Sequence, residues 1–322
     1  MAKRRASKKG PRRKEVSERR EPAAPAREDE PSPSERAAPA APRRPWWLLA
    51  LAASIVAVVV ALRWGSDESN AQDGDPDLRD VAAPRPPPEA ERLRPRVVRR
   101  YPHATDAFTQ GLLWHEGFLY ESTGLRGYST LRRVRLESGE VLERRDLDPA
   151  LFAEGLALVG DRLIQLTWTE GEAHVWSVDG FRHRRTFSYE GEGWGLCHDG
   201  RNLVMSDGSD RLTFRDPETF RVVRRVSVRE GTQPVDDLNE LECVNGSVWA
   251  NVWQTDRIVR IDPRTGHVTA VVNAGGLLTE DERRGADVLN GIAWIPERQR
   301  FVITGKHWPY LFEIELEPDP LP

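Results

Sequence analysis

The sequence predicts an all-β fold, a five-bladed β-propeller, and three observations carry that reading. One short phrase recurs five times, each time opening an apolar strand: Gln110-Gly111-Leu112, Glu154-Gly155-Leu156, Trp194-Gly195-Leu196, Asn239-Glu240-Leu241 and Asn290-Gly291-Ile292. The openings lie about 40 to 51 residues apart, the period of a stacked supersecondary unit. A tight hairpin follows each opening and a second hairpin follows the first, giving four strands per unit and a radial array of sheets.

In the first unit the turn His115-Glu116-Gly117 separates Leu112 from the strand Phe118-Leu119-Tyr120. Val159-Gly160-Asp161, Asp199-Gly200 and Asn245-Gly246 turn the next three units, before Leu163-Ile164, Leu203-Val204 and Val248-Trp249. Gly, Asn and Asp tolerate the positive φ that two-residue hairpin turns require. The fifth unit has a longer turn, Pro296-Glu297-Arg298. Second hairpins turn at Glu137-Ser138-Gly139, at Asp179-Gly180, at Asp216-Pro217 and between Asp262 and Gly266. Helix-period patterning is weak, with one short helix expected near Leu277 to Glu282.

The fifth unit is a strand short. After Tyr310 to Ile314 the chain is expected to stop at the prolines Pro318 and Pro320. Arg96-Val97-Val98-Arg99-Arg100-Tyr101 reads as a strand with no partner of its own, so it is expected to complete the last sheet and cover its edge. The propeller is thereby placed over residues 96–316.

Residues 1–45 hold fourteen Lys or Arg against seven Asp or Glu, without an apolar run, and are expected to be a disordered basic tail. Residues 46–64 contain the uncharged apolar stretch Trp46 to Leu62, with Trp46, Trp47 and Trp64 at its ends. At ~1.5 Å per residue this stretch reaches about 25 Å, the lower limit for crossing a bilayer as a transmembrane helix. A cleaved signal peptide would carry a shorter basic region and a small-x-small site, so a retained single-pass anchor is preferred. The basic side then stays in the cytoplasm, and the propeller is expected on the periplasmic or extracellular face of the cell inner membrane. Residues 65–95, rich in Asp, Glu and Pro, read as an extended linker.

The whole-chain net charge of −4 conceals an asymmetry: with the basic tail and Arg63 set aside, about −12 remains on the rest. Such a surface argues against nucleic acid as a partner. A monomer is expected. Cys197 and Cys243 sit one and two residues beyond their opening aliphatics, hence on opposite faces of their sheets. They read as two buried free thiols, although an oxidising compartment would permit a disulfide.

Equivalent positions of a radial array converge. Gln110, Glu154, Trp194, Asn239 and Asn290 share the openings, while Gly124, Trp168, Gly208, Trp253 and Lys306 share the ends of the returning strands. A repeat kept for packing alone would hold similar residues there. Here a carboxylate, carboxamides, an ammonium and indoles are gathered instead, which marks a candidate site. Blander roles exist: Glu154 as a strand cap, Lys306 as a solvated charge, the tryptophans as core. Seven scattered histidines show no metal-ligand spacing, and neither a phosphate loop nor a nucleophile elbow is present. No metal and no cofactor are therefore read from the sequence.

Phe108-Thr109-Gln110-Gly111-Leu112, Phe152-Ala153-Glu154-Gly155-Leu156, Asn239-Glu240-Leu241-Glu242 and Asn251-Val252-Trp253-Gln254-Thr255 resemble the plant-type and bacterial glutaminyl-peptide cyclotransferases. So do Asp287 to Ala293 and Thr304-Gly305-Lys306-His307-Trp308-Pro309. The resemblance covers residues 97–316 and implies a metal-independent enzyme that converts the N-terminal glutamine of peptides to pyroglutamate, releasing ammonia. It implies catalytic roles for Glu154, Asn239 and Lys306, and an aromatic wall of Phe108, Trp168, Trp194 and Trp253 with Gln110 beside it; Asn290 joins them as a candidate binding residue from its repeat position.

The chemistry suits these groups. The substrate's α-amine attacks its own side-chain carboxamide carbon, so the enzyme must hold a folded rotamer in near-attack geometry. The departing nitrogen needs a proton, and a carboxylate that moves one from the amine to it would be worth about 10²–10⁴-fold. Glu154 is the expected shuttle, with Lys306 and Asn239 stabilising the oxyanion. Two rival readings are a membrane-anchored propeller that binds a peptide or protein without catalysis, and a metal-dependent hydrolytic propeller using Glu154, Asn239 and Asn290.

Overall fold

The computed structural model describes residues 89–320. The tail and anchor expected over residues 1–45 and 46–64, and most of the linker expected over 65–95, lie outside the described residues. Among the described residues no helix is long and apolar enough to cross a membrane.

The described chain is almost wholly strand. After β1 (Glu91–Pro102) come β2 (Thr109–His115), β3 (Phe118–Thr123), β4 (Thr130–Arg135) and β5 (Glu140–Asp146), a four-stranded antiparallel meander. The meander recurs as β6 (Ala153–Val159), β7 (Arg162–Thr167), β8 (Glu172–Ser177) and β9 (His183–Ser188). It recurs again as β10 (Leu196–His198), β11 (Leu203–Met205), β12 (Arg211–Arg215) and β13 (Val222–Ser227). A small ribbon follows, β14 (Arg229–Glu230) with β15 (Gln233–Pro234). The last sheet has eight strands. β16 (Leu238–Val244), β17 (Ser247–Val252), β18 (Arg257–Ile261) and β19 (Val268–Asn273) form one side. β20 (Leu289–Ile295), β21 (Arg300–Gly305) and β22 (Tyr310–Pro318) form the other, and β1 lies between β19 and β22.

The hairpin chemistry is as expected. Glu116 and Gly117 take φ of 47° and 85°, and Asn245 and Gly246 take 50° and 76°, the paired positive values of a tight turn. Inner strands such as β6 and β7 are buried along nearly their whole length, whereas β5, β9 and β13 are largely exposed. That gradient follows from sheets stacked on both faces, which makes inner strands near-continuous apolar runs. The first strands touch in the cyclic order β2, β6, β10, β16, β20 and back to β2. Their approach explains the Gly of the opening phrase: a Cβ on Gly111 would lie 2.6 Å from the Leu156 amide nitrogen.

β1 completes the last sheet, antiparallel to β22 from Leu93 opposite Pro318 to Pro102 opposite Tyr310. The Tyr101 hydroxyl donates to the buried Glu313 carboxylate at 2.5 Å, and Arg298 and Arg300 also bind Glu313 at 3.0 and 3.1 Å. The strand starts at Glu91, before the expected residue 96, and β22 runs on to Pro318 because β1 is long enough to pair with it.

Two expectations are corrected. Leu277 to Glu282 is a turn, not a helix. Thr279 and Glu282 form a reciprocal capping box, Thr279 N to Glu282 Oε2 at 2.9 Å and Glu282 N to Thr279 Oγ1 at 3.3 Å. One helical bond follows, Arg283 N to Thr279 O at 3.0 Å, before Gly285 at φ 86° ends the turn. The second correction is that Cys197 and Cys243 are joined in a disulfide, their Cα atoms 5.5 Å apart. Opposite faces were the correct parity. When neighbouring sheets stack, though, the forward face of one meets the rear face of the next, so opposite faces are what brings β10 and β16 side chains together.

Candidate active site

Matched repeat positions occupy matched places. Gly124 N donates to Phe108 O at 2.8 Å, Trp168 N to Phe152 O at 2.9 Å, Trp253 N to Asp237 O at 2.8 Å and Lys306 N to Val288 O at 2.9 Å. Each bond ties the end of a returning strand to the residue two before an opening. The side chains of both sets therefore meet at one end of the first strands.

A hydrogen-bonded chain runs through three openings. Asn290 Nδ2 donates to Gln110 Oε1 at 3.0 Å and to Thr109 O at 2.9 Å, and Gln110 Nε2 donates to Glu154 Oε1 at 2.9 Å. Asn290, Gln110 and Glu154 are 0, 3 and 4% exposed, so each is oriented without solvent. The Glu154 backbone is fixed as well: its carbonyl accepts the Ser122 hydroxyl, and Gly155 N donates to Trp194 O at 2.7 Å.

Burial pushes the Glu154 carboxyl well above the usual carboxylate range; Lys306 opposes this, while the charges of Glu192 and Glu170 add to it. Desolvation thus outweighs the attraction to Lys306. Lys306 is itself buried, which lowers its ammonium pKa against the pull of Glu154 and Asp287. Its Nζ stands 4.6 Å from the Phe108 ring centroid. Among the described residues Lys306 makes no ion pair within 4.0 Å, leaving room between acid and amine.

The aromatic residues form a wall. Trp253 meets Trp194 edge-on at 5.5 Å, Trp168 meets Phe152 at 5.5 Å, and Phe152 meets Phe108 at 6.1 Å. These rings are half-buried, unlike core aromatics such as Phe214 and Phe312. A lining role fits that exposure better than packing. Asn239 is buried beside this wall, and its Oδ1 has no donor; Asn290 Oδ1 is likewise unpartnered. Among the described residues none of the three expected catalytic side chains bonds directly to another; Glu154 is held by Gln110, and Lys306 lies over the Phe108 ring.

Several residues near the site escaped sequence reasoning. Phe152 and Glu192 lie two residues before their openings, equivalent to Phe108, and that register was their signal. Glu240 replaces the opening Gly and reaches across to two other first strands, β2 and β20, accepting Leu112 N at 3.1 Å and Ile292 N at 2.8 Å. Asn251 Oδ1 accepts Gly291 N at 3.0 Å. Burial raises the Glu240 carboxyl well above its ordinary value, with the charge of Glu242 adding to the effect. Among the described residues no three His, Cys, Asp or Glu are grouped to hold a metal ion.

The arrangement can therefore exchange a proton at Glu154, place a cation or donor from Lys306, accept an N–H at Asn239, and enclose a small aliphatic chain between indoles. Comparison with known proteins identifies the family. A curated glutaminyl-peptide cyclotransferase from Arabidopsis thaliana is 42% identical over 226 residues, covering 69% of this chain and 71% of that protein. The crystal structure of Myxococcus xanthus glutaminyl cyclase is 46% identical with a TM-score of 0.66, covering 72% of this chain and all of the other. The family model for glutamine cyclotransferase matches residues 75–316, and the chain belongs to that family.

Proposed function

We propose that this chain cyclises the N-terminal glutamine of peptides and proteins to pyroglutamate, releasing ammonia, without a metal, on a five-bladed β-propeller closed by β1. The observation that carries the mechanism is the environment of Glu154: buried, held by Gln110, and near Lys306 without being neutralised by contact. A carboxyl with a raised pKa is a stronger base when ionised and keeps its proton to higher pH than an ordinary carboxylate, which suits a group that must both take and return one. The α-amine nitrogen bonds to the side-chain carbonyl carbon, Glu154 moves a proton to the carboxamide nitrogen, and the C–N bond breaks to release ammonia.

Lys306 is the donor assigned to the carbonyl oxygen as it gains charge. The unpartnered Asn239 Oδ1 is an acceptor, which suits a substrate N–H better than an oxyanion. Phe108, Trp168, Trp194 and Trp253 exclude water and pack on the glutamine methylenes, while Gln110 and Asn290 set the orientation of Glu154.

The test is ammonia release from a Gln-initiated dipeptide by the purified chain, with and without chelator. Cyclisation unaffected by chelator is expected. Binding of the peptide without ammonia would favour the non-catalytic platform instead.

We also infer that residues 46–64 form a single-pass anchor between the basic tail of residues 1–45 and the linker of 65–95, with the catalytic domain exported from the cytoplasm as a monomer. The Cys197–Cys243 disulfide supports an oxidising compartment. Carbonate-resistant membrane association and protease access only from the outer face would be expected.

A further inference from the structure

We propose that Glu192 is a positioning and specificity residue: it locks the two indole walls of the pocket together and draws the substrate's α-ammonium towards Glu154. The inference rests on the cyclotransferase reading above. Its starting point is a repeat position. The residues two before the first three openings are Phe108, Phe152 and Glu192, so a carboxylate stands where the two preceding units place a ring.

That carboxylate does what a ring cannot. Glu192 Oε2 accepts Trp168 Nε1–H at 2.8 Å and Trp194 Nε1–H at 2.9 Å. The two indoles come from different sheets: Trp168 follows β7 and Trp194 precedes β10. One oxygen shared by both fixes their mutual orientation. It also joins the Trp194–Trp253 pair to the run from Trp168 through Phe152 to Phe108. The loop that carries Glu192 is itself held, since Gly193 N donates to Trp168 O at 2.9 Å and the Tyr189 hydroxyl binds Thr167 O.

The second feature is unspent charge. Glu192 is exposed and makes no ion pair among the described residues, whereas Glu170, two residues beyond Trp168, is paired with Arg126 at 2.5 Å. An N-terminal amine is largely protonated below its ordinary pKa of ~7.7–8.0, so the substrate arrives as a cation. An unpaired carboxylate at the mouth attracts it before it must shed its proton inside. The charged and titratable groups acting on Glu154 are Lys306, Glu192 and Glu170, and the neutral Tyr189 phenol is near enough to sense it.

The experiment compares wild type, Glu192→Gln and Glu192→Ala in the full chain, with steady-state ammonia release and tryptophan emission as readouts. Glu192→Gln keeps an oxygen for both indole N–H groups but loses the charge. It should leave the emission unchanged, raise KM roughly three- to tenfold, abolish the dependence of KM on salt, and move the acid limb of the pH profile lower. Glu192→Ala should in addition shift the emission and lower kcat. Wild-type kinetics and emission in both variants would overturn the proposal, as would identical losses in the two with no change in salt or pH dependence. If the wild type itself releases no ammonia, the cyclotransferase reading fails, while the emission comparison still decides whether Glu192 holds the indoles.

Discussion

Replacing Glu154 with Gln tests the mechanism and the burial argument in a single variant. The amide is nearly isosteric, and its carbonyl can still accept from Gln110 Nε2, so the Asn290–Gln110 chain should stay intact. What disappears is the transferable proton. General acid–base catalysis supplies about 10²–10⁴-fold, so kcat/KM for a Gln-initiated dipeptide should fall by that factor, roughly 3–5 kcal/mol of transition-state stabilisation. The same change should raise stability. Because the folded-state pKa of Glu154 lies above its unfolded value, the folded protein retains a proton that the unfolded chain has shed. Wild-type stability therefore decreases as pH rises through that window, by at most about 1.4 kcal/mol per pH unit for one group. The variant carries no such penalty. Its melting temperature should equal that of wild type near about pH 4 and exceed it increasingly as pH rises from there towards the raised folded-state value, at roughly 2–4 °C per kcal/mol for a domain of this size. Lys306 loses its counter-charge in the variant, which reduces this gain without reversing it. Ammonia release and thermal melts across pH are sufficient. Turnover within about tenfold of wild type, or a variant less stable at every pH, would refute the reasoning.

Trp253→Ala removes the partner that Trp194 meets at 5.5 Å and should raise KM as well as lower kcat; a change in kcat alone would argue against a binding wall. Converting Cys197 and Cys243 to Ala opens a closed loop with a sequence separation of 46 and should cost about 4 kcal/mol on the chain-entropy estimate, read as a lower melting temperature that reductant reproduces in wild type. Glu240→Ala leaves Leu112 N and Ile292 N without an acceptor and should cost about 2–6 kcal/mol, read from denaturant melts. Glu240→Gln keeps one acceptor and should cost less. Its deficit should shrink with rising pH, because a carboxyl with a raised folded-state pKa loses stability in that direction.

Legibility followed the physics of repetition. A strand of period two buried on both faces gives little internal signal, yet the recurring turn and opening residues located β2, β6, β10, β16 and β20 to within a residue or two. The partnership of β1 with β22 was readable because an unpaired edge is a liability that some segment must cover. Glu154, Gln110 and Asn290 were legible as a group because equivalent positions with unlike side chains have no packing rationale. Their order in the hydrogen-bond chain was not, since that depends on which amide face each presents.

What stayed hidden depends on relations between sheets. The parity of Cys197 and Cys243 was correct, but parity within a sheet does not reveal which faces stack, and that relation alone makes the pair a bridge. Glu240 stands where the other four openings have Gly. Its meaning lies in the space left by the other openings, whose close-packed backbones leave two amides, Leu112 N and Ile292 N, for one carboxylate to satisfy. Glu192 is a related case: two before the openings, where the five units carry Phe, Phe, Glu, Asp and Val, it makes a contact between two indoles that flank separate sheets. In a repeat fold the recurring features of the phrase build the scaffold, so exceptions to the phrase are where tertiary function is to be sought. A site survey that ranks residues by fit to the repeated phrase would discard Glu240 first, although it makes bonds that the Gly of the other four openings could not make.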